Sequence, residues 1–549
     1  MSARRPEYDP QALKAANGAL SAGDLPRAIE VARQALVRGG GEHPLLLSLV
    51  AHDLELQGEY AHALTLLNRA LELNPRSVDI LQRIGGARTK AGRARDALAA
   101  FDAAVAIDPN AALAHYGRGL SLAGLNDHDG ARAAYQRALA LAPGDAETLG
   151  ALATMAAEDK DPVAARHYAD QALAAEPHQA GATMALVSLD AAAGEHEAVL
   201  ARMDALIANG GLTLLHLASA ERFRADALDA LGRPNEAMTA YAAANTALRR
   251  VYLVGVEQAG VELGVEQARR LGAWFATARA ADWRPASSHH PHAGATPAGH
   301  AFLIGFPRSG TTLLEQVLAT HPDIVALEER PTLDPDVPGF FRDAAGLTRL
   351  AKLGPADADA LRDAYWRRVR EFGVEPDGKI FIDKMPLNSL YQPLIAKLFP
   401  QAKIVFALRD PRDVVLGCFR RRFRPNPLVV EYTDLVRTAE FYDGVMTVAA
   451  RYREVLPLPV HMHRYERLVD DFDAETKGLC AFLGIDWTDG LRDFAATARE
   501  RDIRTPSADQ VRRGLYREGV GQWRKYAESL APALPILAPW VEAYGYEPG

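Results

Sequence analysis

The sequence predicts two architectures in series: an α-helical solenoid, then a three-layer α/β domain with a parallel sheet. Three observations carry this. Pro75, Pro109, Pro143 and Pro177 stand 34 residues apart, a period that marks stacked helical pairs. From about residue 300 that period stops, and short apolar runs alternate with helical segments. The first of those runs leads into Pro307-Arg308-Ser309-Gly310-Thr311-Thr312, giving the order strand, Gly/Ser/Thr loop, helix that presents backbone N–H groups to an anion.

Bulk properties bound the reading. A chain of 549 residues exceeds what one hydrophobic core holds, so two or more domains are expected. With 48% hydrophobic and 24% charged residues it is an ordinary globular composition. The net charge of −8 argues against general nucleic-acid binding and leaves room for a local basic pocket. Two cysteines, Cys418 and Cys480, cannot form a disulfide framework, so a reducing compartment is expected. No apolar stretch follows the first arginines, which is unlike a signal peptide. No run of about 18 apolar residues occurs, so no membrane span is expected and the reading is cytoplasmic.

The repeats come first. Ala63, Ala97, Ala131 and Ala165 share the 34-residue grid, as do Ala70, Ala104, Ala138 and Ala172. Gly58, Gly92 and Gly194 occupy a turn slot that Asn126 and Lys160 fill in the two intervening units. Small residues let helices approach, the slot turns the chain, and proline closes the second helix. One such pair cannot bury its apolar face, so the pairs stack. The pattern resembles the tetratricopeptide repeat (TPR), with four good units from about 44 to 180, weaker ones on both sides, and a helical cap from 236 to 283. The expected limits are a helical domain at 1–283, a flexible linker at 284–299 and an α/β domain at 300–549. His289, His290 and His292 in the linker have no local Cys or carboxylate, and such tracts are usually solvated; no metal is expected.

The loop decides the class of ligand. Gly305, four residues, Gly310 and then Thr311-Thr312 parallel the nucleotide P-loop, but Thr311 sits where that loop carries lysine. The lysine reaches the β and γ phosphates, so its absence weakens an ATPase or kinase reading. Arg308 offers a planar fork for sulfate or phosphate, and Ser309, Thr311 and Thr312 add hydroxyls.

Phe-Pro-Arg-Ser-Gly-Thr-Thr-Leu-Leu-Glu, then His-Pro-Asp and Glu-Glu, resembles the 5′-phosphosulfate segment of sulfotransferases that use 3′-phosphoadenosine-5′-phosphosulfate (PAPS), especially the tyrosylprotein sulfotransferases. The likeness runs in ordered segments over roughly 300–530 and implies the sulfotransferase fold. By that resemblance Glu329 is the base for the acceptor hydroxyl and Lys384, in Lys384-Met385-Pro386, supports the leaving oxygen. Arg409 matches the arginine that holds the 3′-phosphate, while Gly417 stands where the family has a serine. Either the Gly417 N–H substitutes, or Arg420, Arg421 and Arg422 compensate, or donor affinity is reduced. Tyr465 would contact the nucleotide, Ser507 would polarise the sulfate, and Gly521–Tyr526 resembles a loop that closes over the donor. Cys418 and Cys480 have no partners for nucleophilic catalysis.

The resulting expectation is an enzyme moving a sulfuryl group from PAPS to a hydroxyl, releasing 3′,5′-ADP without a metal. The TPR groove suggests a protein or peptide tyrosine as acceptor, although repeats of this kind also dimerise proteins. The alternatives are a TPR adaptor with a silent transferase fold and, less favoured, a P-loop kinase.

Overall fold

The computed structural model describes residues 8–283, 297–333, 339–423, 426–500, 514–515 and 517–548. His289, His290, His292, most of the expected linker and Ser507 lie outside them. The chain divides into two compact units, Met1–Gly211 and Leu212–Gly549.

In the first unit, first helices begin at Pro44, Val78, Ala112, Ala146 and Ala180, and second helices at Tyr60, Ala94, His128, Pro162 and His196; both sets advance by 34. A further pair, Pro10–Ser21 and Leu25–Val37, precedes them. The gridded alanines are buried: Ala63, Ala97, Ala131 and Ala165 are all 0% exposed. A larger side chain there would push helix axes apart. The turn slot is a left-handed backbone position throughout, with φ of 80° at Gly58, 72° at Gly92 and 79° at Gly194. Asn126 and Lys160 adopt the same conformation at 62° and 61°, against the preference of a residue with a Cβ.

The second unit begins with helices Leu214–Ala230, Pro234–Ala259 and Gly264–Phe275. The sequence pattern groups them with the repeats, but their polar atoms are satisfied by the α/β part. Asn245 Nδ2 donates to the Phe419 carbonyl at 2.9 Å, and Glu431 Oε1 accepts the Val265 N–H at 2.9 Å.

Five parallel strands follow: β1 Gly299–Gly305, β2 Ile324–Glu328, β3 Ile380–Lys384, β4 Lys403–Leu408 and β5 Val460–Arg464, ordered β2-β3-β1-β4-β5. Four of these match apolar runs that the sequence shows at 301–306, 379–383, 403–408 and 460–465; β2 was not anticipated. The two faces pack separate cores. Phe302, Ile304, Phe381, Ile404 and Phe406 face one side, and Ala301, Leu303, Ile382, Val405 and Ala407 the other, against Leu313, Leu314 and Val317. Burial on both faces is why these strands read as continuous apolar runs.

The topology positions the site. From β1 the chain leaves toward β2, and from β4 it leaves toward β5, although β1 and β4 are neighbours. A crevice opens at the C-terminal ends of strands where connections diverge in this way.

Candidate active site

The loop after β1 ends at Gly310, which starts helix Thr311–Leu318 with φ 95° and without a side-chain cap. The N-cap glycine itself offers the first-turn N–H groups no side-chain acceptor, an arrangement that favours an anion. A Cβ on Gly310 would lie 2.7 Å from the Tyr465 ring, and one on Gly305 would lie 2.6 Å from the Ala407 carbonyl. Only glycine lets the loop lie this close to β4 and Tyr465. Ser309 is 2% exposed and its Oγ has no hydrogen-bond partner among the described residues. A buried orphan hydroxyl beside an uncapped helix end fits a bound sulfate or phosphate. Thr311 and Thr312 are buried at the same helix start.

Arg308 takes φ 71° within the loop. Its stem crosses Gly417, where an added Cβ would lie 3.3 Å from Arg308 Cβ. The missing side chain at Gly417 thus has a packing reason. The Arg308 carbonyl accepts from Arg409 Nη1 at 3.4 Å, and the Arg409 guanidinium lies 4.7 Å from the centre of the Tyr465 ring. Arg308, Arg409, Gly417 and Tyr465 therefore meet at the β1/β4 crevice.

At the ends of β2 and β3, Lys384 is 0% exposed and faces three carboxylates: Glu329 at 2.9 Å, Glu315 at 3.3 Å and Glu328 at 3.7 Å. Burial alone would lower the ammonium's pKa, but the three carboxylates outweigh it and raise it. Glu315 is itself 0% exposed and sits one turn into the helix that starts at the anion loop. That helix links the loop to the lysine. Glu329 is the most open of the three carboxylates, with its side chain 37% exposed.

Arg409 also donates to the Gly519 carbonyl. Asp413 accepts the Gly521 N–H at 2.7 Å and the Trp523 N–H at 2.8 Å, and Arg412 lies 3.7 Å over the Trp523 ring. Asp229, from the helix before the sheet, receives Arg420, Lys525 and Tyr526. Burial would raise its carboxyl, but Arg420, Lys525 and Tyr526 bring it below the usual range. Arg420 is thus held by Asp229 and by the Tyr241 and Tyr526 rings. Cys418 is buried, its thiol pushed up by desolvation, which keeps it protonated.

Sequence reasoning did not find Glu315, Asp229 or the Asp383 cluster described below. Glu315 is one glutamate in a short helix whose residues are all buried, and only the fold aims it at Lys384. Among the described residues, no group of three or more His, Cys, Asp or Glu is arranged to hold a metal, and no helix is long and apolar enough to cross a membrane.

Residues 301–489 match the sulfotransferase family, and residues 13–78 and 83–146 match the tetratricopeptide repeat. A protein of unassigned function from Aquifex aeolicus (strain VF5) is 27% identical over 245 residues, 43% of this chain and 32% of that protein. The match thus spans about a third of the Aquifex protein. The protein-tyrosine sulfotransferase 1 of Danio rerio is 26% identical over 261 residues, 45% of this chain and 72% of that protein. The solved sulfotransferase domain from the Synechococcus PCC 7002 olefin synthase is 22% identical, with a TM-score of 0.34, covering 48% of this chain and all of that one.

Proposed function

We propose that this chain, which joins tetratricopeptide repeats to a sulfotransferase-family domain, moves a sulfuryl group from PAPS to an acceptor hydroxyl. The observation that carries the reading is the Lys384–Glu329 pair at 2.9 Å, at the ends of adjacent strands and joined through Glu315 to an uncapped anion loop. The chemistry is assigned to residues 300–549 with the helices Leu214–Phe275 that belong to the same unit, and acceptor recruitment to the repeats of the first unit.

When bound, the donor supplies the activated sulfuryl group. Arg308, Ser309, Gly310, Thr311 and Thr312 would hold its phosphosulfate end by hydroxyls, guanidinium and helix N–H groups. Arg409 and Tyr465 would hold the 3′-phosphate and the nucleoside; the Gly417 N–H lies inside helix Pro411–Phe419, is used by the helix itself, and does not replace the serine hydroxyl. Glu329, the open carboxylate, takes the acceptor proton on its Oε. Protonation removes one of the three negative charges around Lys384, so its ammonium becomes available to the departing oxygen. Ser507 keeps its assigned role in polarising the sulfate, although it lies outside the described residues. No residue is assigned to a metal.

The acceptor we favour is a protein or peptide tyrosine presented by the repeats. The test is incubation of the full chain with labelled PAPS and a cell extract, with identification of the labelled species. Calorimetry with 3′,5′-ADP runs beside it. Labelled tyrosyl protein supports the whole reading, a labelled saccharide or lipid changes the acceptor, and absence of 3′,5′-ADP binding ends it. The silent-adaptor reading requires 3′,5′-ADP binding without transfer to any acceptor, and the kinase reading requires transfer from ATP.

A further inference from the structure

The segment that carries Glu329 is strained and has to be held. Glu329 has φ 31°, a conformation that residues with a Cβ avoid. Such positions are strained and persist only where surrounding contacts fix them. Two contacts do so, both on β3. The Glu329 N–H donates to the Lys384 carbonyl at 2.8 Å. Three residues on, Thr332 Oγ1 donates to Asp383 Oδ2 at 2.5 Å. Between these two points lie Arg330 and Pro331, so the backbone has little freedom left.

Asp383 alternates with Lys384 along β3 and points to the opposite face of the sheet. It is 1% exposed and Thr332 is 0% exposed. The Tyr365 hydroxyl donates to the same Oδ2 at 2.8 Å, and its oxygen lies 2.9 Å from His300 Nε2. His300 packs among the Phe302, Tyr365, Trp366, Phe381 and Phe399 rings. Burial pushes the Asp383 carboxyl up to about 6, with Thr332, Tyr365 and Lys384 opposing it. A carboxylate in so apolar a place is costly unless hydrogen-bonded. A leucine or valine would fill the strand position at less cost, so the acid calls for another reason.

We propose that Asp383 is a positioning residue for Glu329: through Thr332 it fastens the Glu329 segment to the end of β3 and so fixes the base opposite Lys384. This rests on the transfer reading above. Asp383 itself touches neither donor nor acceptor. Tyr365 and His300 orient the carboxylate from behind.

The test is Thr332→Val, which keeps the shape and removes the hydroxyl, with Thr332→Ser as the conservative variant and Tyr365→Phe as a control behind the carboxylate. A base displaced by up to an ångström costs roughly 10- to 100-fold in rate. For Thr332→Val, kcat should fall in that range with 3′,5′-ADP affinity close to that of the unaltered chain, while the thermal midpoint drops modestly because the buried Asp383 carboxylate loses a donor. Thr332→Ser should restore kcat to within about threefold, and Tyr365→Phe should cost less than Thr332→Val. If kcat of Thr332→Val stays within about twofold, or if its ADP affinity falls in step with kcat, the inference is overturned. If the unaltered chain transfers no sulfuryl group at all, it is the transfer reading that fails.

Discussion

Replacing Lys384 by methionine tests the electrostatics of the site most directly. Methionine keeps most of the stem volume and removes the charge. Three carboxylates at 2.9, 3.3 and 3.7 Å would then face a position with no cation. At an effective dielectric of about 20, each contact is worth about 5 kcal/mol before desolvation is subtracted. Breaking one buried pair costs about 3–5 kcal/mol net, chiefly because the partner is left charged and unpaired. The expected loss is therefore about 3–5 kcal/mol in guanidinium unfolding at pH 8. In the unaltered chain the buried ammonium sets the pH dependence at this position. A lysine whose folded pKa is raised contributes stability that is full below its ordinary 10.5 and is lost as pH rises through the raised value. Adding Glu315→Gln to Lys384→Met should recover about 1–2 kcal/mol, since the two residues are coupled. A loss under about 1 kcal/mol at pH 8 would refute the view of a buried ammonium balanced by three carboxylates.

Other outcomes follow from the same structure. Lys160→Gly relieves the φ of 61° in its turn and should stabilise the repeat unit by up to about 1 kcal/mol, measured by urea unfolding. Asp229→Asn removes the negative charge that Arg420, Lys525 and Tyr526 share and turns an amide N–H donor toward one of them. We expect a loss of about 2 kcal/mol, faster proteolysis near 519–526, and weaker 3′,5′-ADP binding by calorimetry. Gly417→Ala puts a Cβ 3.3 Å from Arg308 Cβ and should weaken 3′,5′-ADP binding several-fold. Gly417→Ser adds a hydroxyl to the same crowding, so binding tighter than that of Gly417→Ala would mean the hydroxyl reaches the 3′-phosphate.

The solenoid was legible because its constraint is local and repeated. Each unit needs a small residue at the helix crossing, a left-handed turn and a proline stop, and the sequence states these every 34 residues. The anion loop was legible for a related reason: a strand, a Gly/Ser/Thr loop and a helix start are contiguous. Strand β2, Ile324–Glu328, was not read from the sequence. The helices from Leu214 to Phe275 were grouped with the repeats because amphipathic spacing says that a face is buried, not what it is buried against.

By itself, then, the sequence determined the order of architectures and named Arg308, Glu329, Lys384 and Arg409 as candidates. Tertiary structure decided how they are held. It set three carboxylates around one buried lysine, laid the Arg308 stem across Gly417, and drew Asp229 from a helix nearly three hundred residues away to Lys525. It also joined Asp383 to Thr332 across 51 residues. Such pairings depend on which strand ends lie side by side, and a parallel sheet brings together residues far apart in the chain.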